Sequence, residues 1–126
     1  MINDKKVIYL AGPYSSDDPK ILTKRWKMYN KISSTLISNK DVYVFSPITY
    51  SHPIVHQKNF NKDFWTYEYW MPFDKHMLAV CDEMWIVDIE GWDKSKGVLD
   101  EIEFAKANNI KIKMVTPRGR TYKYEG

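Results

Sequence analysis

Two carboxylates and one small-residue turn are the groups of this 126-residue chain best placed to do chemistry. Glu101 ends the run Ser95-Lys96-Gly97-Val98-Leu99-Asp100-Glu101, which reads as the opening of a helix. At about 100° per residue, Val98, Ile102 and Ala105 share one face, and Glu101 lies beside it, one turn from Gly97 and one from Ala105. A carboxylate at a core edge costs free energy unless it is paired or used. Glu101 is therefore either a boundary residue bonded to a nearby hydroxyl or a group facing a ligand through space that Gly97 leaves clear. Asp74 falls in Pro72-Phe73-Asp74-Lys75-His76, where Pro72 predicts a helix start or a kink. In a first helical turn an acid complements the helix dipole, so capping explains Asp74 as well as catalysis does. The turn Gly12-Pro13-Tyr14-Ser15-Ser16 offers backbone N–H groups to an anion, or serves simply as a turn and helix cap. It carries neither a Walker lysine pattern nor GxGxxG, which disfavours an ATPase or a dinucleotide site.

Other reactive types fit known sites less well. His52, His56 and His76 match no zinc spacing and have no cysteine pair beside them, so neither metal nor cofactor is expected. The lone Cys81 has no legible histidine–carboxylate partner set and suits a reducing compartment. The dense aromatic group Phe60, Phe64, Trp65, Tyr67, Tyr69 and Trp70 either packs a minicore under a loop, stacks on a planar ligand, or meets another subunit.

The elements that must position these groups alternate between strand and helix. Strands are expected over 6–10, 42–45, 84–87 and 110–115, and helices over 19–39 and 97–108. A helix is also expected in the second half of 63–80, and a polar tail over 116–126. The first helix should bury Leu22, Trp26, Tyr29, Ser33, Leu36 and Ile37, with Asp17 or Asp18 as its cap. This alternation predicts an α/β fold with a parallel sheet and helices on both faces, a three-layer sandwich of one domain over residues 1–126 with its core at about 6–115. Ligands then bind beyond the carboxyl ends of the strands, at 11–16, 46–56 and 88–101. The net charge of +3 is too mild and scattered for a nucleic-acid surface. No apolar run approaches a membrane span, and Met1 to Lys6 leads into a strand rather than a leader peptide, so a cytoplasmic domain is expected.

Taken together, three motifs resemble the nucleoside 2-deoxyribosyltransferase superfamily, which includes 2′-deoxynucleoside 5′-monophosphate N-glycosidases. They are Tyr9-Leu10-Ala11-Gly12-Pro13-Tyr14-Ser15, Ser46-Pro47-Ile48 through His52-Pro53, and Gly91-Trp92 through Ser95-x-Gly97-x-x-x-Glu101. The similarity is to small phage or bacterial members and implies a flavodoxin-like fold with four or five parallel strands. It further implies cleavage of a deoxynucleoside or deoxynucleotide N-glycosidic bond, by hydrolysis or by deoxyribosyl transfer, with retention through a covalent intermediate. In that reading Glu101 attacks C1′, Asp74 contacts and protonates the base, and Tyr9 orients Glu101. Gly12, Pro13, Tyr14, Ser15, Ser46, His52, Trp70, Asp88, Ser95 and Gly97 would bind substrate. Ser95 stands where transferases commonly carry Asp, which points toward nucleotides. The arginine that the hydrolases place in the first-strand turn is missing, leaving Arg25, Lys24 or a neighbouring subunit to supply the charge. A homodimer or higher homo-oligomer is expected, with no membrane or nucleic-acid polymer as partner. The same carboxylate placement would also serve a non-catalytic nucleotide-binding module or a glycohydrolase of a ribosyl cofactor such as NAD.

Overall fold

A computed structural model describes residues 4–126; Met1 to Asn3, part of the segment read above as lacking a leader, lie outside the described residues. The apolar run Val7–Ala11 forms β1, and Pro19–Lys40 forms α1. The Asp18 side chain caps α1 by accepting from the Lys20 N–H, and Pro19 supplies a preset φ at the first helical position. Then follow β2 (Tyr43–Phe45), α2 (Pro47–Val55), α3 (Tyr67–Ala79), β3 (Glu83–Val87), α4 (Lys96–Ala107), β4 (Lys111–Val115) and β5 (Thr121–Lys123). The sheet order is β2-β1-β3-β4-β5, with the first four strands parallel and β5 antiparallel to β4.

Alternation along the strands divides the core into two layers. Ile8, Leu10, Trp85 and Val87 pack against Tyr29, Ile32 and Leu36 of α1 and Ile48 of α2. Tyr9, Ala11, Met84 and Ile86 face the other way, onto Leu78 of α3 and Val98, Ile102 and Ala105 of α4. Chain direction across the sheet reverses at β1, which has β2 on one side and β3 on the other. The carboxyl ends of β1 and β3 therefore form the switch point where open α/β sheets bind ligands.

Three local expectations are corrected, and a helix follows β2 where none is named: Ser46 caps α2 by accepting from the Thr49 N–H, and Pro47 begins it despite Pro53 inside. α3 starts at Tyr67, capped by the Thr66 side chain, so Pro72 lies inside the helix and Asp74 is far from its first turn. Ile37 is half exposed while Ile32 is buried, because the buried stripe of α1 runs through Leu22, Tyr29, Ile32 and Leu36. The expected tail contains β5, reached through a turn at Gly119, whose φ of +90° suits glycine. No helix among the described residues is long and apolar enough to cross a membrane.

Candidate active site

The loops beyond β1 and β3 and the walls of α2 and α3 enclose a cleft of about 580 Å³, within the range of small-molecule sites. Ser95 places Glu101 there by capping α4: its hydroxyl accepts from the Val98 N–H, which starts the helix with Val98 and Ile102 against the sheet. Glu101 is consequently buried, its residue only 6% exposed, yet it lines the cleft. The fully buried Tyr9 of β1 points to the same layer and donates its phenolic hydrogen to Glu101 Oε2. Burial, reinforced by the charge of Glu101, raises the Tyr9 phenol well above its usual range, so it remains a donor.

Asp74 reaches the cleft from the middle of α3. Burial pushes its carboxyl up to about 7. No N-terminal dipole opposes that shift, since the helix begins a full two turns before it. Glu101 is pushed up to about 8, chiefly by burial, with the charge of Asp74 adding to the shift and the Tyr9 hydrogen bond opposing it. Near neutral pH the two carboxyls thus hold a proton between them, the condition for one to act as acid and the other as base or nucleophile.

The turn after β1 forms the opposite wall, and its shape has a packing cause. A Cβ on Gly12 would collide with the Tyr29 ring, whose hydroxyl donates to the Pro13 carbonyl at 2.5 Å. Arg25 of α1 ties the next carbonyls, donating from Nη1 to Tyr14 O and Ser15 O, each at 2.9 Å. Arg25 lines the cleft, as do Lys94 and Lys96 beside the start of α4. The cleft is therefore acidic at Glu101 and Asp74 and cationic where α1 and α4 flank the turn. Gly97 also lines it, and there a Cβ would meet only Met71 Cε at 3.6 Å and Ser95 Oγ at 3.9 Å. Packing does not demand glycine at this position.

Of the residues expected to bind substrate, Gly12, Pro13, Tyr14, Ser15, Trp70, Ser95 and Gly97 line the cleft with Asp74 and Glu101. Three do not. Ser46 is buried as the cap of α2 and accepts from Thr49 Oγ1. His52 lies one layer behind, its Nδ1 2.5 Å from the Tyr14 hydroxyl and its ring stacked on Trp26 at 4.8 Å. Asp88 accepts from the Tyr122 hydroxyl of β5 and lines a separate hollow with Ile89 to Lys94. The resemblance named all three; in the structure a cap, a stack and a strand tie engage them. Sequence reasoning missed Lys94, Lys96, Thr66 and Met71. Their signals were the cation pair around the Ser95 cap and the spacing of Tyr67, Met71 and Asp74 on a helix begun earlier than Pro72. Cys81 lies away from the cleft: burial pushes its thiol up to about 11, and it donates to Met77 O.

The model of a family described as a domain of unknown function (DUF1937) matches residues 6–116. The chain belongs to that family. Among solved structures, a 2-deoxyribosyltransferase from the psychrotolerant bacterium Bacillus psychrosaccharolyticus is similar with a TM-score of 0.55 and 16% identity, over 90% of this chain and 74% of that one. This similarity shows the α/β fold that the strand–helix alternation predicts, of the flavodoxin-like type that the resemblance implies. No curated protein matches the chain.

Proposed function

We propose that this DUF1937 protein cleaves the N-glycosidic bond of 2′-deoxynucleoside 5′-monophosphates, with Glu101 as nucleophile. The observation that carries this reading is a buried glutamate held by a phenol at a sheet switch point, with a second protonatable carboxyl in the same cleft. The fold shared with a 2-deoxyribosyltransferase supports the same class of bond. Tyr9 fixes Oε2, which leaves Oε1 as the attacking oxygen. The reacting form is the tautomer in which the pair's shared proton sits on Asp74 and Glu101 is ionised. Attack forms the Glu101–C1′ ester as the C1′–N bond breaks, its electron pair passes to the base, and Asp74 delivers its proton to the leaving nitrogen. Asp74, now ionised, takes a proton from water as that water attacks C1′ and frees deoxyribose 5-phosphate and Glu101. A second base in place of water gives transfer instead.

Arg25, Lys94 and Lys96 support a phosphorylated sugar, since they supply the charge that the turn after β1 lacks. The exposed rings of Tyr50, Phe64 and Tyr69 support a homodimer, which sedimentation at micromolar concentration tests. To test the reaction, the protein is incubated with the common deoxynucleoside monophosphates and free base is followed by chromatography. Base release that Glu101→Ala abolishes is expected. Release by that variant at the wild-type rate, or none by the wild type, overturns the proposal. A labelled second base separates transfer, which yields labelled nucleotide, from hydrolysis.

A further inference from the structure

Building on the glycosidase reading, we infer that Tyr67 and Trp70 recognise the leaving base through two hydrogen-bond donors, which selects keto bases over amino bases. Tyr67, Trp70, Met71 and Asp74 follow one another at spacings of three, one and three along α3, so they form one stripe, and all four line the cleft. In the proposed reaction Asp74 stands at the base as it leaves. At 1.5 Å per residue, Trp70 and Tyr67 lie roughly 6 and 10 Å from Asp74 along the same stripe, alongside a planar base docked there.

Both residues carry polar atoms that the fold leaves unused. Tyr67 Oη and Trp70 Nε1 are buried and have no hydrogen-bond partner among the described residues. Such orphans are few in native proteins and call for a cause. A third, Trp26 Nε1, belongs to α1 and does not line this cleft, so two of the three fall on a single helix face at the candidate site. Around the rings, the Lys96 ammonium sits 4.3 Å over Tyr67, and Tyr69 and Phe73 meet Trp70 edge-on at 5.3 and 6.1 Å. A base docked along the stripe brings acceptors to the two donors as neighbouring side chains give way.

The chemistry of the two groups sets the preference. An indole N–H only donates, so Trp70 sets the preference; the Tyr67 phenol, able to donate or accept, adds a bond to a keto oxygen by donating. Guanine and hypoxanthine offer the neighbouring acceptors O6 and N7, and thymine and uracil offer O4. Adenine and cytosine put an amino donor at the corresponding position, donor against donor, and a site built to hydrogen-bond one group rejects the analogue that lacks it.

Full-length Glu101→Gln, whose amide oxygen keeps an acceptor for Tyr9 but cannot form the ester, is titrated by calorimetry with the monophosphates of thymidine, deoxyuridine, deoxyguanosine, deoxyinosine, deoxyadenosine and deoxycytidine. The keto members are expected to bind at least tenfold tighter than the amino members. Trp70→Phe or Tyr67→Phe, added to Glu101→Gln, should cut that ratio threefold or more by weakening keto binding alone. If Trp70→Phe does not fold, Tyr67→Phe, which keeps its ring beneath Lys96, decides the matter. Equal affinity for all six, or a ratio that the Phe variants leave unchanged, overturns the inference while the glycosidase reading stands. Failure of all six to bind overturns both.

Discussion

The molecule buries two glutamates at opposite ends of its sheet, and their surroundings have opposite effects. Glu83 opens β3 and Glu101 lies by its carboxyl end; the residues are 3% and 6% exposed. Burial alone would raise Glu83, but a 2.6 Å bond from Lys6 Nζ, a 2.9 Å bond from Trp85 Nε1 and the charge of Lys113 hold it below the usual range. Glu101 has a single phenolic donor, and burial prevails. A satisfied buried carboxylate serves the fold, whereas an under-satisfied one holds a cost that a reactive site can use.

The largest effect belongs to Glu101→Gln. It should abolish base release, a loss of a thousandfold or more, yet stabilise the protein at pH 8, because the neutral amide still accepts from Tyr9 without a buried charge. The sign follows from linkage. Raised in the fold from 4.5 to about 8, Glu101 adds stability below pH 4.5 that is lost as pH climbs through about 8. The variant's advantage should therefore be absent at pH 4 and reach about 5 °C or more in melting midpoint above pH 8. Glu83 runs the other way: its contribution is present above pH 4.5 and lost as pH falls through its lowered value. Glu83→Gln should lower the melting midpoint at pH 7 and leave base release near wild type. Matching pH–stability slopes for the two variants would break the contrast.

Next in size is Asp74→Asn, expected to slow base release about a hundredfold by removing the acid. Wild-type activity should peak between about pH 7 and 8, since Asp74 near 7 and Glu101 near 8 carry one proton between them in that window. Below it both are protonated and the nucleophile is lost; above it both are ionised and the acid is lost. With the acid gone, the residual rate should lose its alkaline limb and rise with the ionisation of Glu101 alone. A residual rate that still falls above pH 8 would mean that Asp74 is not the acid.

How much of this was legible in the sequence follows the same division. The apolar stripe Val98–Ile102–Ala105 and the Ser95 cap placed Glu101 beside the core because helical periodicity is local and strong. The Tyr9 contact came only through a resemblance: it joins residues 92 apart, and no spacing rule reaches that far. Asp74 was placed in a first turn because Pro72 looks like a helix start, while the Thr66 cap that overrides it lies six residues upstream. Ser46-Pro47, which follows the expected strand, is an N-cap followed by a first-turn proline, a helix start that the short segment after it does not advertise by periodicity. β5 left no trace, being three residues long, polar and at an edge. Arg25 was named for its charge alone; what put it at the cleft was its pair of bonds to the turn carbonyls.

Among the cations the same contrast holds, with smaller effects. Lys6 is spent on Glu83, whereas Arg25 makes no ion pair among the described residues and faces the cleft. Arg25→Gln should raise KM for a deoxynucleoside monophosphate about tenfold, more at low than at high salt, with kcat within a few-fold. The unphosphorylated nucleoside should not notice the change. An equal KM rise for both substrates would show that Arg25 only braces the turn.

Smallest in the activity assay, and sharpest as a control, is the pair of glycines on the cleft wall. Gly12→Ala drives a methyl into the Tyr29 ring, whose hydroxyl anchors Pro13, so the turn or α1 must shift and the melting midpoint should fall clearly. Gly97→Ala meets nothing closer than the mobile Met71 Cε at 3.6 Å, lies within helix α4, and should keep or slightly raise the midpoint, since alanine favours the helix. If the space above Gly97 belongs to the substrate's sugar, that stable variant should still lose a few-fold in kcat/KM, through KM. A Gly97→Ala protein as stable and as active as wild type would move the sugar off this wall and leave Glu101 facing it from another side.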